Sequence, residues 1–124
     1  MIIDACFLID LLAGDKAAVA KLEEIADRRL VVPTLVYTEV AIGIEPGTGE
    51  AKRFDAVMED VTLVPYDAEA ARRAVGMQRS RYESGDPLGA VDGMIAGIAL
   101  ARDEPIVTRN TSEFSRTPAG VSPY

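Results

Sequence analysis

The chain has no histidine, and its 124 residues contain a single cysteine, Cys6. Without histidine, Ser-His-Asp and Cys-His machinery, imidazole acid–base catalysis and His-ligated zinc are excluded. One cysteine excludes an internal disulfide, a thiolate zinc site and Cys-x-x-Cys redox chemistry. Long apolar runs are lacking too: none reaches about 18 residues without a charge, so no transmembrane helix is expected. No basic segment with a cleavage-site pattern opens the sequence, and no secretory signal is read. A cytoplasmic protein with no membrane partner follows as the expectation. Positive charge is scarce: the formal net charge is −7, which argues against a general nucleic-acid coat protein. Lysine is scarcest, three residues against ten arginines, with none after Lys52. An enzyme built from this composition must run on carboxylates, amides, hydroxyls, lysine or arginine.

What is present is an ordinary globular balance, 48% hydrophobic and 27% charged, enough to build a core and at this length one domain, residues 1–124. The sequence opens on Met1-Ile-Ile-Asp-Ala-Cys-Phe-Leu-Ile-Asp10, an apolar run interrupted by Asp4. Residues 1–4 read as a buried strand, and Ala5 to Ala13 as a short helix stopped by Gly14. Asp15 caps a helix over Lys16–Arg28. Leu30–Val32 is a strand, and Thr34 caps a helix from Leu35 to Ile44. Pro46-Gly-Thr-Gly49 is a turn; it lacks the Gly-Lys-Ser/Thr ending of a phosphate-binding loop. Residues 50–59 form a helix and Val61–Val64 a strand. Asp67 caps a helix running to Tyr82, broken by Ser84-Gly-Asp-Pro87. Leu88–Ala101 is an apolar helix, Ile106-Val107 a strand, Thr111–Phe114 a helical turn and Val121 the seat of a last strand. Short strands alternating with helices predict an α/β fold, a small parallel sheet sandwiched by helices in three layers.

Within this pattern three acids stand alone. Asp4 ends an apolar strand. Glu39 is the only charge between Leu30 and Ile44, on the helix face of Leu35 and Ile42. Asp92 is the only charge between Pro87 and Ala101, with Leu88 and Ile95 beside it. Each alone is as compatible with a solvent-facing or capping acid as with a functional one. Together they suggest convergence, because no basic residue in their own segments can pair with them. Converging carboxylates repel and take up protons unless a cation holds them together. The natural cation is a hard divalent ion with oxygen ligands, Mg²⁺ or Mn²⁺. Such an ion, held at strand ends where open α/β sheets place ligands, suits hydrolysis of phosphate esters.

Asp4 after Ile-Ile, Thr38-Glu39-Val40, Asp92-Gly-Met-Ile-Ala-Gly-Ile-Ala99 and Val107-Thr-Arg-Asn110 followed by Glu113-Phe114 resemble the PIN domain family along essentially the whole chain. Within that family the chain is most similar to VapC-type toxins of toxin–antitoxin pairs. The resemblance implies a Mg²⁺-dependent endoribonuclease in which Mn²⁺ can substitute. It implies Asp4, Glu39 and Asp92 as the acidic site, Asp4 and Asp92 foremost as metal ligands, and Glu113 as a fourth acid. Asn110 and Thr108 are its polar neighbours, and Arg109 and Arg116 flank the fourth acid where a phosphate would lie. The alternative for the Asn110–Glu113 segment is a capped helical turn. The resemblance further implies an RNA substrate, a cognate antitoxin and a homodimer. It departs from the family at Ala5 and Cys6, where hydroxyl or amide side chains are usual; Cys6 reads as a buried small hydrophobe or a weak substitute donor. Asp10 reads as facing solvent or a basic partner.

Setting the four site acids aside takes the formal charge from −7 to −3. Arg72 and Arg79, seven residues apart on one helix, are candidates for RNA backbone contact; the plainer reading is salt bridges to Glu69 and Glu83. Other classes fail on specifics. A phospho-receiver domain needs a late lysine, and a haloacid-dehalogenase-type phosphatase needs Asp-x-Asp where this chain has Asp4-Ala5-Cys6. The remaining alternatives are a non-cutting PIN-like binding module and a housekeeping RNA-processing nuclease without antitoxin.

Overall fold

A computed structural model describes all residues, Met1–Tyr124. Five strands form one sheet: β1 Ile2–Ile3, β2 Val31–Pro33, β3 Thr62–Val64, β4 Ile106–Thr108 and β5 Val121–Pro123, in the order β3-β2-β1-β4-β5. Every pairing is parallel; Ile2 lies opposite Val31 on one side and Ile106 on the other, and Ile3 lies opposite Val107. The three central strands are runs of β-branched residues, closed in β2 by Pro33, with no polar alternation. They suit a sheet covered on both faces, and Ile2, Val31, Val32, Ile106 and Val107 are all fully buried.

Seven helices cover the sheet: α1 Ala5–Leu12, α2 Lys16–Glu24, α3 Thr34–Ala41, α4 Gly49–Glu59, α5 Ala68–Glu83, α6 Ala90–Arg102 and α7 Thr111–Phe114. The strand order dictates their layers. The chain steps outward from β1 to β2 to β3, then jumps back past β1 to β4 and β5. Crossovers between parallel strands are right-handed, so the outward steps put α1–α4 on one face and the return puts α5–α7 on the other. Packing follows the same division: α1 touches α2, α3 and α4, while α5 lies along α6 and α6 touches α7. The expected three-layer α/β/α sandwich is the observed one. The strand order reverses between β1 and β4, and the carboxyl ends of those two strands form the crevice that positions the site.

Local chemistry explains where the elements differ from expectation. Asp15 and Asp67 cap α2 and α5 as expected, accepting the Ala18 and Ala70 amides at 3.0 and 2.9 Å. Thr34 does not cap α3. Pro33 holds the cap position while still paired with Val64 in the sheet, so Thr34 is already the first helical residue. That helix ends at Ala41 rather than Ile44, leaving Ile42 83% exposed. Helix α2 stops at Glu24 rather than Arg28, where the chain leaves the helix at the buried Ile25. The first strand stops at Ile3 because Asp4 turns out of it to become the N-cap of α1. Leu88 lies ahead of α6 rather than in it, buried in the loop that follows the break after α5.

Candidate active site

Three polar residues are buried in this molecule: Asp4, Lys21 and Thr108. Two of them bond to each other. Asp4 and Thr108 end neighbouring strands, and the β1–β4 register carries both to the sheet's carboxyl edge. There the Thr108 hydroxyl donates to Asp4 Oδ2 at 2.8 Å. The Ala5 amide donates to Asp4 Oδ1 at 2.8 Å. The Cys6 thiol lies 3.4 Å from Asp4 Oδ2 and from Thr108 Oγ1, and accepts the Arg109 amide at 3.4 Å. Burying a carboxylate is costly unless it is hydrogen-bonded or paired, and these donors compensate Asp4 without neutralising it.

Asp4, Glu39, Asp92 and Asn110 line one cleft of about 870 Å³, together with Cys6 and residues at the starts of α3 and α6. Asp92 sits half-buried in the first turn of α6. Burial raises its affinity for a proton above that of an ordinary carboxyl, and the charges of Asp4, Glu113 and Glu39 raise it further. Asp92 therefore feels all three other acids singled out from the sequence. Glu39 lies in the cleft but not in a buried stripe: α3 buries Val36 and Val40, and Glu39 stands exposed on the adjoining face. Glu113 does not line the cleft. It is half-buried in α7 and paired with Arg116 at 3.0 Å.

The other predicted polar residues separate. Asn110 sits at the N-cap of α7, the helical turn Thr111–Phe114, and its side chain makes no capping bond. Its backbone N–H donates to Thr108 Oγ1 at 2.9 Å. Arg109 is exposed and paired with Asp10 at 2.9 Å. Arg116 is tied to Asp86 and Glu113. Asp10 has the basic partner expected of it. It also accepts the Tyr124 hydroxyl at 2.7 Å, and burial together with that bond holds the phenol well above its usual range. Arg72 and Arg73 both pair with Glu69.

The sequence left Cys6 open between a buried small hydrophobe and a weak substitute donor; it is half-buried in the cleft wall with its thiol 3.4 Å from Asp4 Oδ2, and its place two residues after Asp4 was the signal. Gln78 on α5 gave none. Its amide clamps both backbone groups of Leu88, each at 3.0 Å, and so fixes the loop that launches Asp92. Gly93 makes room for the clamp: a Cβ there would stand 2.5 Å from Gln78 Nε2.

The donors in the cleft are carboxylate, hydroxyl and amide oxygens, the set a hard divalent cation takes. Their repulsion, expressed at Asp92, is what such a cation would relieve. No three acidic side chains are gathered tightly enough to hold an ion as they stand, so the residues fit a metal by chemistry and convergence rather than by a closed cage.

Fold and cleft define a class: a parallel α/β protein with an acid-lined crevice where its strand order reverses. The chain belongs to the PIN domain family, which it matches over residues 1–120. It is 32% identical over 90 residues to a Rickettsia bellii protein named Ribonuclease VapC, covering 68% of this chain and 67% of that one. It is 28% identical over 93 residues to the tRNA(fMet)-specific endonuclease VapC of Salmonella typhimurium, covering 73% and 70%. A solved toxin–antitoxin complex from Klebsiella pneumoniae superposes with a TM-score of 0.80 at 25% identity, over 99% of this chain and 97% of that one.

Proposed function

We propose that this protein is a metal-dependent endoribonuclease of the VapC type, the toxin of a toxin–antitoxin pair. The observation that carries the reading is the convergence on Asp92 of the charges of Asp4, Glu39 and Glu113 at the sheet's reversal point. Relatives named as ribonucleases support it. PIN-domain nucleases are generally metal-dependent, and Mg²⁺, with Mn²⁺ as substitute, is the ion we assign. Asp4 and Asp92 would hold it, with Glu39 and Glu113 as further acids. When bound, it supplies positive charge that polarises a phosphodiester and makes a water acidic enough to attack.

The chain's own residues do the rest. Thr108 and the Ala5 amide lock Asp4 in one orientation, leaving its remaining lone pairs for the cleft. Glu39, exposed in the cleft, stands ready to take the proton of the attacking water. Asn110 at the mouth offers an amide to substrate. The resemblance to the Klebsiella pneumoniae complex supports a cognate antitoxin, and an acidic cleft would welcome an arginine from it. A homodimer and a cytoplasmic site of action complete the proposal; no helix is long and apolar enough to cross a membrane.

Purified protein is expected to cut structured RNA with Mg²⁺ or Mn²⁺ and to stop with EDTA. Asp4→Asn and Asp92→Asn are each expected to abolish cutting, by at least about 100-fold, while circular dichroism shows an intact fold. Full activity in both variants would overturn the site.

A further inference from the structure

The proposed nuclease has an electrostatic difficulty. Its cleft gathers acids and the whole chain carries −7, yet its substrate would be a polyanion. The metal can neutralise the scissile phosphate, but affinity for RNA comes chiefly from cations along the backbone. A second cleft, of about 620 Å³, has the complementary character. Arg72, Arg73, Ser80, Arg81, Ser84 and Arg116 line it, and no carboxylate does. Resting on the nuclease reading, we propose that this arginine cleft is the track for the RNA backbone leading away from the acidic site.

Its walls differ in kind. Arg81 is half-buried and bonded through all three of its nitrogens: it donates to the carbonyl and carboxylate of Asp86 and to the Arg116 carbonyl. Arg116 joins Asp86 and Glu113, and its Nε is buried with no partner. These two arginines build the cleft and tie its end to Glu113, whose charge Asp92 already feels. Glu113 sits in α7, which packs on α6, the helix that carries Asp92, and follows Asn110 of the acidic cleft, so the arginine cleft begins on the elements next to the acidic one. From Ser84 it follows α5 back to Arg72, twelve helical residues or about 18 Å, room for several phosphates of one strand. Arg72 and Arg73 are 71% and 58% exposed, and both lean on Glu69. Such exposed pairs contribute little to stability, so their guanidiniums are free to exchange Glu69 for phosphate oxygens, which they bind in bidentate fashion. The Ser80 hydroxyl suits the same oxygens, while that of Ser84 donates to the Ser80 carbonyl at 3.1 Å. Arg79, which the helical stripe paired with Arg72, lies outside the cleft.

The test is fluorescence anisotropy of a labelled stem–loop RNA with the whole protein in EDTA, where nothing is cut, over a salt series. The double variant Arg72→Ala/Arg73→Ala is expected to bind about tenfold more weakly at low salt. Its slope of log affinity against log salt should be shallower by about 1.4, two phosphates at about 0.7 each. Glu69→Gln, which frees both arginines, is expected to bind more tightly. Unchanged affinity and slope in both variants overturn the track. If the wild type cuts RNA with Mg²⁺ while the double variant binds RNA undiminished, the track fails and the nuclease reading stands. If the wild type neither cuts nor binds RNA but binds polyglutamate through Arg72 and Arg73, both fail and the cleft belongs to an acidic protein partner.

Discussion

Asp4 is oriented by the Thr108 hydroxyl, and that makes Thr108 the most exacting small residue of the site. Replacing it with valine keeps the volume of a fully buried side chain and removes the donor 2.8 Å from Asp4 Oδ2. A lost hydrogen bond to a charged group costs about 1.5–3 kcal/mol, and loss of a partner that orients a metal ligand typically costs 10–100-fold in metal affinity or activity. Thr108→Val should therefore raise the Mg²⁺ concentration needed for half-maximal cutting, and Thr108→Ser should restore it. Cys6→Ala should cost only a few-fold, because a thiol is a weak donor; metal titrations of the three variants decide the order. The main acids were legible in the sequence because each stood alone among apolar neighbours. Their supports were not. The contacts of Thr108 with Asp4 and Cys6 depend on a register between β1 and β4, over a hundred residues apart, and the Gln78 clamp depends on where a loop returns against a helix.

At the scale of elements, α5 and α6 carry the site's other half. They approach so closely at Gly97 that a Cβ there would stand 2.5 Å from the Ala70 carbonyl oxygen and 2.8 Å from the Ala74 Cβ. Backbone cannot yield as a side-chain tip can, so Gly97→Ala should cost about 1–3 kcal/mol, the usual scale of overpacking. Thermal unfolding should show it as a clear drop in Tm. Gly93→Ala tests something different. Its Cβ would strike the flexible end of Gln78, displacing the clamp on Leu88 rather than the helix, so activity should fall proportionally more than Tm. Undiminished activity in Gly93→Ala would deny the clamp its role. Strand and helix order were readable because β-branched runs and amphipathic stretches alternate cleanly. The boundaries that moved did so where tertiary structure outranked local preference: Pro33 kept in the sheet, Asp4 drawn out of the strand to cap α1, Leu88 buried ahead of its helix.

The whole molecule is acidic, and the cleft concentrates that excess where the sheet order reverses. Asp92 reports the consequence. It lies in the first turn of α6, where the helix dipole favours a negative charge; burial and the neighbouring acids act in the opposite sense and raise its proton affinity. The sign for stability follows from linkage. Without metal, the folded protein holds a proton on Asp92 at pH values where the unfolded chain has lost it. Asp92 therefore favours folding fully below the ordinary carboxyl pKa, and that contribution is lost as pH rises through the raised value. In EDTA at neutral pH, Asp92→Asn should melt above wild type, and the gap should close in acid. A divalent cation should reverse the order. Binding only to the folded state, it stabilises wild type by about 2.7 kcal/mol at a hundredfold excess over its dissociation constant, roughly 10 °C in a domain of this size. Asp92→Asn, with one ligand fewer, should gain much less. Differential scanning fluorimetry with EDTA, Mg²⁺ and Mn²⁺ across a pH series reads both signs without any RNA present. Equal shifts with metal in wild type and variant would mean that the acids converge for some purpose other than holding a cation.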